Sequence, residues 1–305
     1  MTHVLVAVDF STCSRGAFDY AAALARGMDA RITALHVSPH YVTTGEWSDA
    51  SVPASADPVR WQALHEDLRA LAARSDDPVP SIVVREGDPA GEILAYAVLA
   101  EADFVVLGTH GRRGLRRWMS GSVTERVACT ARCPVIAVPH AASVPFERVL
   151  CAIDLTDDSR DTMAYAAAAA RAMHAHLIVL HAVQPPPAYE PWMIPPNDDE
   201  TARRTLSENA NRHLRDLTAR HAAGGLPVEV RVTFGTPHGQ IERLARSRVA
   251  LTVLGVRSSR AVQRFFFGST ARHVLRSAVS PVMLVPHRAA AAGGHDREQE
   301  KTLVS

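Results

Sequence analysis

Short apolar runs alternate along the chain with longer segments in which apolar residues fall three or four apart. Val4–Val8 is aliphatic throughout and ends at Asp9, the mark of a buried strand. Behind it Phe18, Ala21, Ala25 and Met28 lie on one helical face. Ile32–Val37 reads as a second strand. A loop carrying Gly45, Pro53 and Pro58 then leads to a helix with Trp61, Leu64, Leu68 and Leu71 on one side. Ser81–Arg85, Asp103–Leu107 and Pro134–Val138 read as three further strands. After the third strand, Gly87-Asp88-Pro89 opens a helix, with Asp88 as N-cap and the proline in the first turn.

The pattern is written twice. VLVAVDFSTCSRGAFDYAAALA begins at Val4, and VLCAIDLTDDSRDTMAYAAAAA begins 145 residues later at Val149. Met163, Ala166, Ala170 and Met173 repeat the first helical face, so packing is preserved as well as letters. EGDPAGEI (86–93) answers FGTPHGQI (234–241), where Thr236 takes the N-cap position and Pro237 the first turn. FVVLGTHG (104–111) answers LTVLGVRS (251–258), and CPVIAVPH (133–140) answers SPVMLVPH (280–287). Two domains follow, 1–140 and 147–287, a size that suits a 305-residue chain. Aliphatic strands alternating with helices imply an α/β fold, a parallel sheet covered on both faces and doubly wound. Two segments stand outside the repeat. The six prolines of 184–200 exclude regular structure there, and the tail 288–305 lacks an apolar face and is expected to be disordered.

Composition narrows the function classes. A hydrophobic fraction of 47% with 21% charged residues fits a globular protein. Lys and Arg total 33 against 32 Asp and Glu, so neither nucleic acid nor a membrane is expected as a partner. No stretch approaches the roughly 18 consecutive apolar residues of a membrane span, and the start lacks a basic leader. Cys13, Cys129, Cys133 and Cys151 form no CxxC pair and read as small packing residues in a reducing cytoplasm. His174 and His176 are two apart and face different sides, which argues against a metal site. His36 and His181 are repeat equivalents and read as packed, hydrogen-bonded residues, while His140 and His287 read as structural. No Ser/His/Asp or Cys/His grouping can be assembled, so no catalytic residue is assigned.

The candidate chemistry lies in GTHGRRGLRRWMSGS, residues 108–122. It follows the fourth strand, and Asp9 ends the first; in an open parallel sheet of order 3-2-1-4-5 those ends flank the point where strand order reverses. Glycines let backbone N–H groups approach an anion, and a helix N-terminus after Gly121 and Ser122 favours phosphate. Four arginines, at 112, 113, 116 and 117, could neutralise it. Ser122 with Glu125 is equally a capping box, which needs no ligand. Neither GxxxxGK[ST] nor GxGxxG is present.

Gly108-x2-Gly111-x9-Gly121-Ser122, paired with Asp9 in VAVDFS, resembles the ATP-binding signature of the universal stress protein family. The resemblance spans 2–140 and again 147–287. It implies a five-stranded, adenine nucleotide α-hydrolase-like sheet in each copy. The copies would pair through strands 134–138 and 281–285 as a pseudo-dimer, with a further homodimer as an additional assembly. It implies ATP, with Mg²⁺, as the ligand of a stress-response protein whose bound nucleotide governs shape or partners, hydrolysis being at most slow. Ala7, Asp9 and Val37 would meet adenine and ribose, with Gly108 beside them. Gly111, Gly121, Ser122 and Val123 would hold the phosphates.

Copy two keeps Asp154, Val183, Gly255, Gly268 and Ser269, but Ser258 replaces the second glycine and Phe265–Phe267 precede Gly268. Arg272 stands where Glu125 stood, an unfavourable charge near a helix N-terminus unless an anion is close, and that anion could be a bound phosphate. Two other classes stay open: a nucleotide-free interaction protein of the same fold, and an ATP-dependent enzyme.

Overall fold

The computed structural model describes residues 1–39, 41–45, 48–52, 57–75, 77–109, 122–139, 147–155, 159–184, 196–221, 224–256 and 268–286. The first half runs β1 (His3–Val8), α1 (Thr12–Gly27), β2 (Arg31–Ser38), β3 (Tyr41–Gly45), β4 (Ser48–Val52), α2 (Pro58–Ala72), β5 (Ser81–Glu86), α3 (Pro89–Leu99), β6 (Phe104–Gly108), α4 (Ser122–Thr130) and β7 (Val135–Val138). The second half runs β8 (Arg148–Ala152), α5 (Ser159–Ala172), β9 (His176–Val183), α6 (Pro196–His221), β10 (Val228–Phe234), α7 (Pro237–Ala245), β11 (Val249–Val256), α8 (Ser269–Arg276) and β12 (Val282–Pro286).

All strands but the β3–β4 hairpin join one ten-stranded sheet of order β10-β9-β8-β11-β12-β7-β6-β1-β2-β5. Each half thus has the strand order 3-2-1-4-5, parallel throughout. The halves meet antiparallel, Val135 opposite Leu284, Ile136 opposite Met283 and Ala137 opposite Val282. Met283 is the repeat equivalent of Ile136, so a pseudo-twofold axis passes between these two residues.

Alternation along β1 divides the core. Val4, Val6 and Val8 face a layer containing α1, α2, α5 and α6, whereas Leu5 and Ala7 face α3, α4, α7 and α8. On the first layer α1 and α5 touch across the axis. A Cβ added at Gly27 would collide with the carbonyl oxygen of Ala172, so only glycine allows that approach. The Tyr20 hydroxyl donates to the Ala250 carbonyl at 3.2 Å, and Tyr165 lies edge-on to Phe104 with ring centroids 5.8 Å apart. Each half therefore places a tyrosine from its first helix against the other half.

Three expectations need correction. The segment after β2 contains the antiparallel strands β3 and β4, where a loop was expected; Val42, Thr43 and Thr44 favour strand. Pro58 opens α2 behind an Asp57 cap, whose carboxylate accepts from the N–H groups of Val59 and Arg60. Regular structure also begins inside the proline-rich segment, because Pro196 starts α6. A proline at the first helical position removes only a donor that has no partner there. The rest of that segment, 185–195, and the tail 288–305 lie outside the described residues.

Candidate functional site

The chain leaves β1 for α1 on one face of the sheet and leaves β6 for α4 on the other. Because β1 and β6 are neighbours, with Ala7 opposite Leu107, and their following helices lie on opposite faces, their carboxyl ends flank the crevice expected where strand order reverses. Asp9 and Gly108 stand at its two sides.

The turn from β1 into α1 is over-determined. The Ser11 N–H donates to Asp9 Oδ1 at 3.0 Å, and the Asp9 N–H donates to Ser14 Oγ at 3.3 Å. The Ser14 hydroxyl donates to the Ser11 carbonyl at 3.1 Å, while the Ser14 N–H donates to Ser11 Oγ at 3.2 Å, the N-cap bond of α1. Between these residues Phe10 sits at φ 63°, and its equivalent Leu155 at φ 60°. A bulky side chain in the left-handed region costs on the order of 1–3 kcal/mol and persists where the surroundings enforce it, commonly at ligand sites.

Gly108 closes the other side. A Cβ there would lie 2.9 Å from the Cys13 carbonyl carbon and 3.0 Å from both Cys13 Cβ and the Ser14 nitrogen. This glycine therefore lets β6 end directly on the first turn of α1, a packing cause that exists without any ligand. The buried Thr124 hydroxyl donates to the Gly108 carbonyl at 2.8 Å and ties α4 to the end of β6. On the far side Arg126 makes a two-pronged bond to Asp88, 2.9 and 2.7 Å. Asp88 also caps α3 by accepting from Gly91 N–H at 2.9 Å. The Arg126 guanidinium, helped by that amide, holds the Asp88 carboxyl below its ordinary value.

The structure brings Ala7, Val37, Asp9 and Gly108 together at this crevice: the first two are buried on the α3–α4 side, the last two half-buried. Ser122 opens α4 and Val123 packs against the same core. Gly111 and Gly121 lie outside the described residues, as do the loop arginines. In copy two Val183 ends β9, Gly255 lies in β11 opposite Val285, and Gly268 is the N-cap before Ser269 in α8. Asp154 is exposed and takes a bond from the Ser159 hydroxyl at 3.1 Å. Ser258 and Phe265–Phe267 are outside the described residues. Thr236 precedes α7 as expected but makes no side-chain cap bond.

His36 and His181 donate Nδ1–H to the carbonyls of Val8 and Ile153 at 2.7 and 2.8 Å. A carbonyl only accepts, so each ring carries its proton on Nδ1. His36 also lies against Phe10, ring centroids 4.7 Å apart. Among the described residues no three His, Cys, Asp or Glu side chains could hold a metal ion. The four cysteines are free thiols, buried or half-buried. Burial pushes Cys129 and Cys133 up to about 11, away from reactivity at neutral pH.

Arg272 has a counter-charge within the chain. Its anion is Glu125 of the other half, whose Oε1 lies 3.9 Å from Arg272 Nε and 3.6 Å from Arg276 Nη2. The pseudo-twofold axis brings the two repeat-equivalent helices α4 and α8 face to face, so a position acidic in one copy is basic in the other. Glu125 supplies a counter-charge that the sequence alone did not show, while the buried Arg272 Nε makes no hydrogen bond among the described residues. Ser11, Ser14, Thr124 and the left-handed Phe10 escaped sequence reasoning. The signal available was the shared frame D-x4-S, Asp9 with Ser14 and Asp154 with Ser159.

A model of the universal stress protein family matches residues 1–139 and again 145–286. Universal stress protein YxiE of Bacillus subtilis is 32% identical over 143 residues, 44% of this chain and 97% of its own length. Universal stress protein Rv2005c of Mycobacterium tuberculosis is 27% identical over 303 residues, 92% of this chain and 96% of its own. The crystal structure of a universal stress protein from Archaeoglobus fulgidus superposes with a TM-score of 0.65 at 20% identity, covering 94% of this chain and 98% of that one.

Proposed function

Because the chain belongs to the universal stress protein family, we propose that its first half binds ATP and that the bound nucleotide regulates the conformation or the partners of the whole chain. The observation that carries this reading is the crevice between β1 and β6, with Asp9 held at its rim by the Ser11 N–H. A carboxylate whose orientation is set by the turn can accept from the donors of a ribose or an adenine. Ala7 and Val37 supply a small apolar floor for a base, and the N-terminus of α4 supplies N–H groups and a dipole for phosphate. These residues fit a nucleotide. Mg²⁺ would add charge neutralisation at the phosphates. No side chain at the crevice is assigned as a general base, and the chain acts through binding.

The second half serves as the fixed partner of the first. Copy two keeps the aspartate of the frame, bonded by Ser159, but has Ser258 in place of the second glycine, which weakens its claim to a second nucleotide.

Acid extraction and native mass spectrometry of the purified chain test the reading, with calorimetric titration of MgATP. Retained ATP or saturable binding is expected, and Gly121→Asp should abolish it while leaving the circular dichroism unchanged. If no ATP is retained and no binding appears at millimolar MgATP, the chain is an interaction protein of the same fold, and the nucleotide reading fails.

A further inference from the structure

At the opposite end of the sheet from the crevice, where the strands of the first half begin, lies a cavity of about 520 Å³. Its volume falls in the range of small-molecule sites, about 300–1,000 Å³. Leu94, Ala97 and Val98 of α3 form an apolar wall, and Tyr165 reaches in from the second half. Glu101, Asp103 and Arg132 bring charges of both signs to the same space.

Copy two provides an internal comparison. Repeat equivalence puts Glu242 in the place of Leu94, Ser277 in that of Thr130 and Val279 in that of Arg132. There the Ser277 hydroxyl donates to the Glu242 carboxylate and bridges α7 to α8. The corresponding space is about 10 Å³. The first copy lacks the bridge, has the cavity and carries a guanidinium at its rim. Its outer turn is also apolar, with Val98 58% and Leu99 71% exposed, whereas the equivalents in copy two are Arg246 and Ser247.

The charges decide the class of ligand. Arg132 is exposed, and neither it nor Glu101 makes an ion pair among the described residues, although both line one cavity. Asp103 is fixed, one oxygen accepting from the His3 N–H at 2.8 Å. A purely anionic ligand would meet two carboxylates, and a purely cationic one would meet the guanidinium. A zwitterion satisfies both, since guanidinium pairs with carboxylate in forked geometry and carboxylates accept from an ammonium group.

We propose that this cavity is a binding site of the first half for a small zwitterion with an apolar side group, the chemistry of a free apolar α-amino acid. Its carboxylate pairs with Arg132, its ammonium group with Asp103 and Glu101, and its side group rests on Leu94, Ala97 and Val98. Tyr165 belongs to the other half, so occupancy is felt at the seam. The site shares no residue with the nucleotide crevice and stands whether or not ATP binds there.

The test uses the full chain and ligand-observed NMR titrations with leucine and phenylalanine, beside octanoate and octylamine as single-charge probes. The zwitterions are expected to bind saturably and more tightly than either single-charge probe. Arg132→Val, a change at an exposed position, should weaken them about tenfold, the effect of removing roughly 1.4 kcal/mol. The pair L94E/T130S rebuilds the bridge of copy two and should abolish binding with the circular dichroism retained. Absence of saturable binding by either amino acid overturns the proposal, as does equal binding of octanoate or octylamine. A concentration-dependent dimer that L94E/T130S dissolves, without amino-acid binding, would also overturn it and make the Val98–Leu99 surface an interface between copies.

Discussion

Gly108→Ala adds one methyl group where β6 ends on α1. The new carbon would stand 2.9 Å from the Cys13 carbonyl carbon and 3.0 Å from the Ser14 nitrogen, both main-chain atoms that no rotamer change can move. Optimal carbon contacts lie near 3.5–4.0 Å, so the strand end and the helix must part by roughly half an ångström or more. Overpacking of this kind costs about 1–3 kcal/mol. The smaller entropy of an unfolded alanine returns about 0.4–1 kcal/mol, leaving a net loss of about 1–2 kcal/mol. For a unit of this size that lowers the melting temperature by about 2–4 °C per kcal/mol. Gly16 is the matched control, a glycine inside α1 with nothing within 4 Å of its added Cβ. Gly16→Ala should therefore stabilise, by up to about 1 kcal/mol from helix propensity. Thermal melts and urea midpoints of both variants, followed by circular dichroism, decide the matter. MgATP affinity should fall in Gly108→Ala, because the turn that holds Asp9 rides on the displaced atoms. If Gly108→Ala raises the midpoint as Gly16→Ala does, α1 yields freely, and the packing role assigned to this glycine is wrong.

Gly27→Ala should cost about 1–3 kcal/mol, because its methyl group meets the Ala172 carbonyl across the seam; a melting temperature equal to the wild type would refute that contact. Glu125→Arg should lower stability and Glu125→Arg/Arg272→Glu should recover it. The groups are 29% and 43% exposed, which keeps the coupling in a double-mutant cycle below about 1 kcal/mol; a coupling of zero would remove the explanation given for Arg272. Burial lowers the pKa of His3, whose ring donates to the Ala100 carbonyl at 2.9 Å and contacts Thr33 Oγ1 at 2.9 Å. The unfolded chain thus binds a proton more readily than the fold, so stability should decline as pH falls from about 6.5 through the lower folded value. His3→Gln should flatten that decline, and an unchanged pH profile of the melting temperature would count against it.

Much of this architecture was legible because the repeat wrote each element twice. Asp9 and Asp154, or Gly108 and Gly255, could be placed at strand ends by comparing the copies, and their strands lie in the order expected. Pairing of the halves through their last strands was also legible, from the resemblance and not from the pattern itself. What could not be read were effects that depend on a third element. Gly108 looks like a ligand-binding glycine in sequence, yet its missing Cβ accommodates α1, which no spacing reveals. Arg272 looked like a claim on phosphate because its partner, Glu125, belongs to the other copy. The cavity beside Leu94 was invisible for the same reason, since its emptiness is defined by a bridge present only in copy two. The β3–β4 hairpin and the start of α6 at Pro196 were not legible, because the Gly and Pro signals of those two segments fit a loop as well as a strand end or a helix start.

The antiparallel junction of β7 and β12 has a consequence for how the molecule can vary. In a pair of identical subunits every substitution at the twofold axis is made twice and faces itself, so an acidic residue there would oppose its own copy. Here the two sides of the axis are written separately, and Glu125 can face Arg272. The join is also unimolecular: dilution that would dissociate two free subunits leaves it closed. Freed from both self-complementarity and concentration, one half can surrender a function that the other keeps.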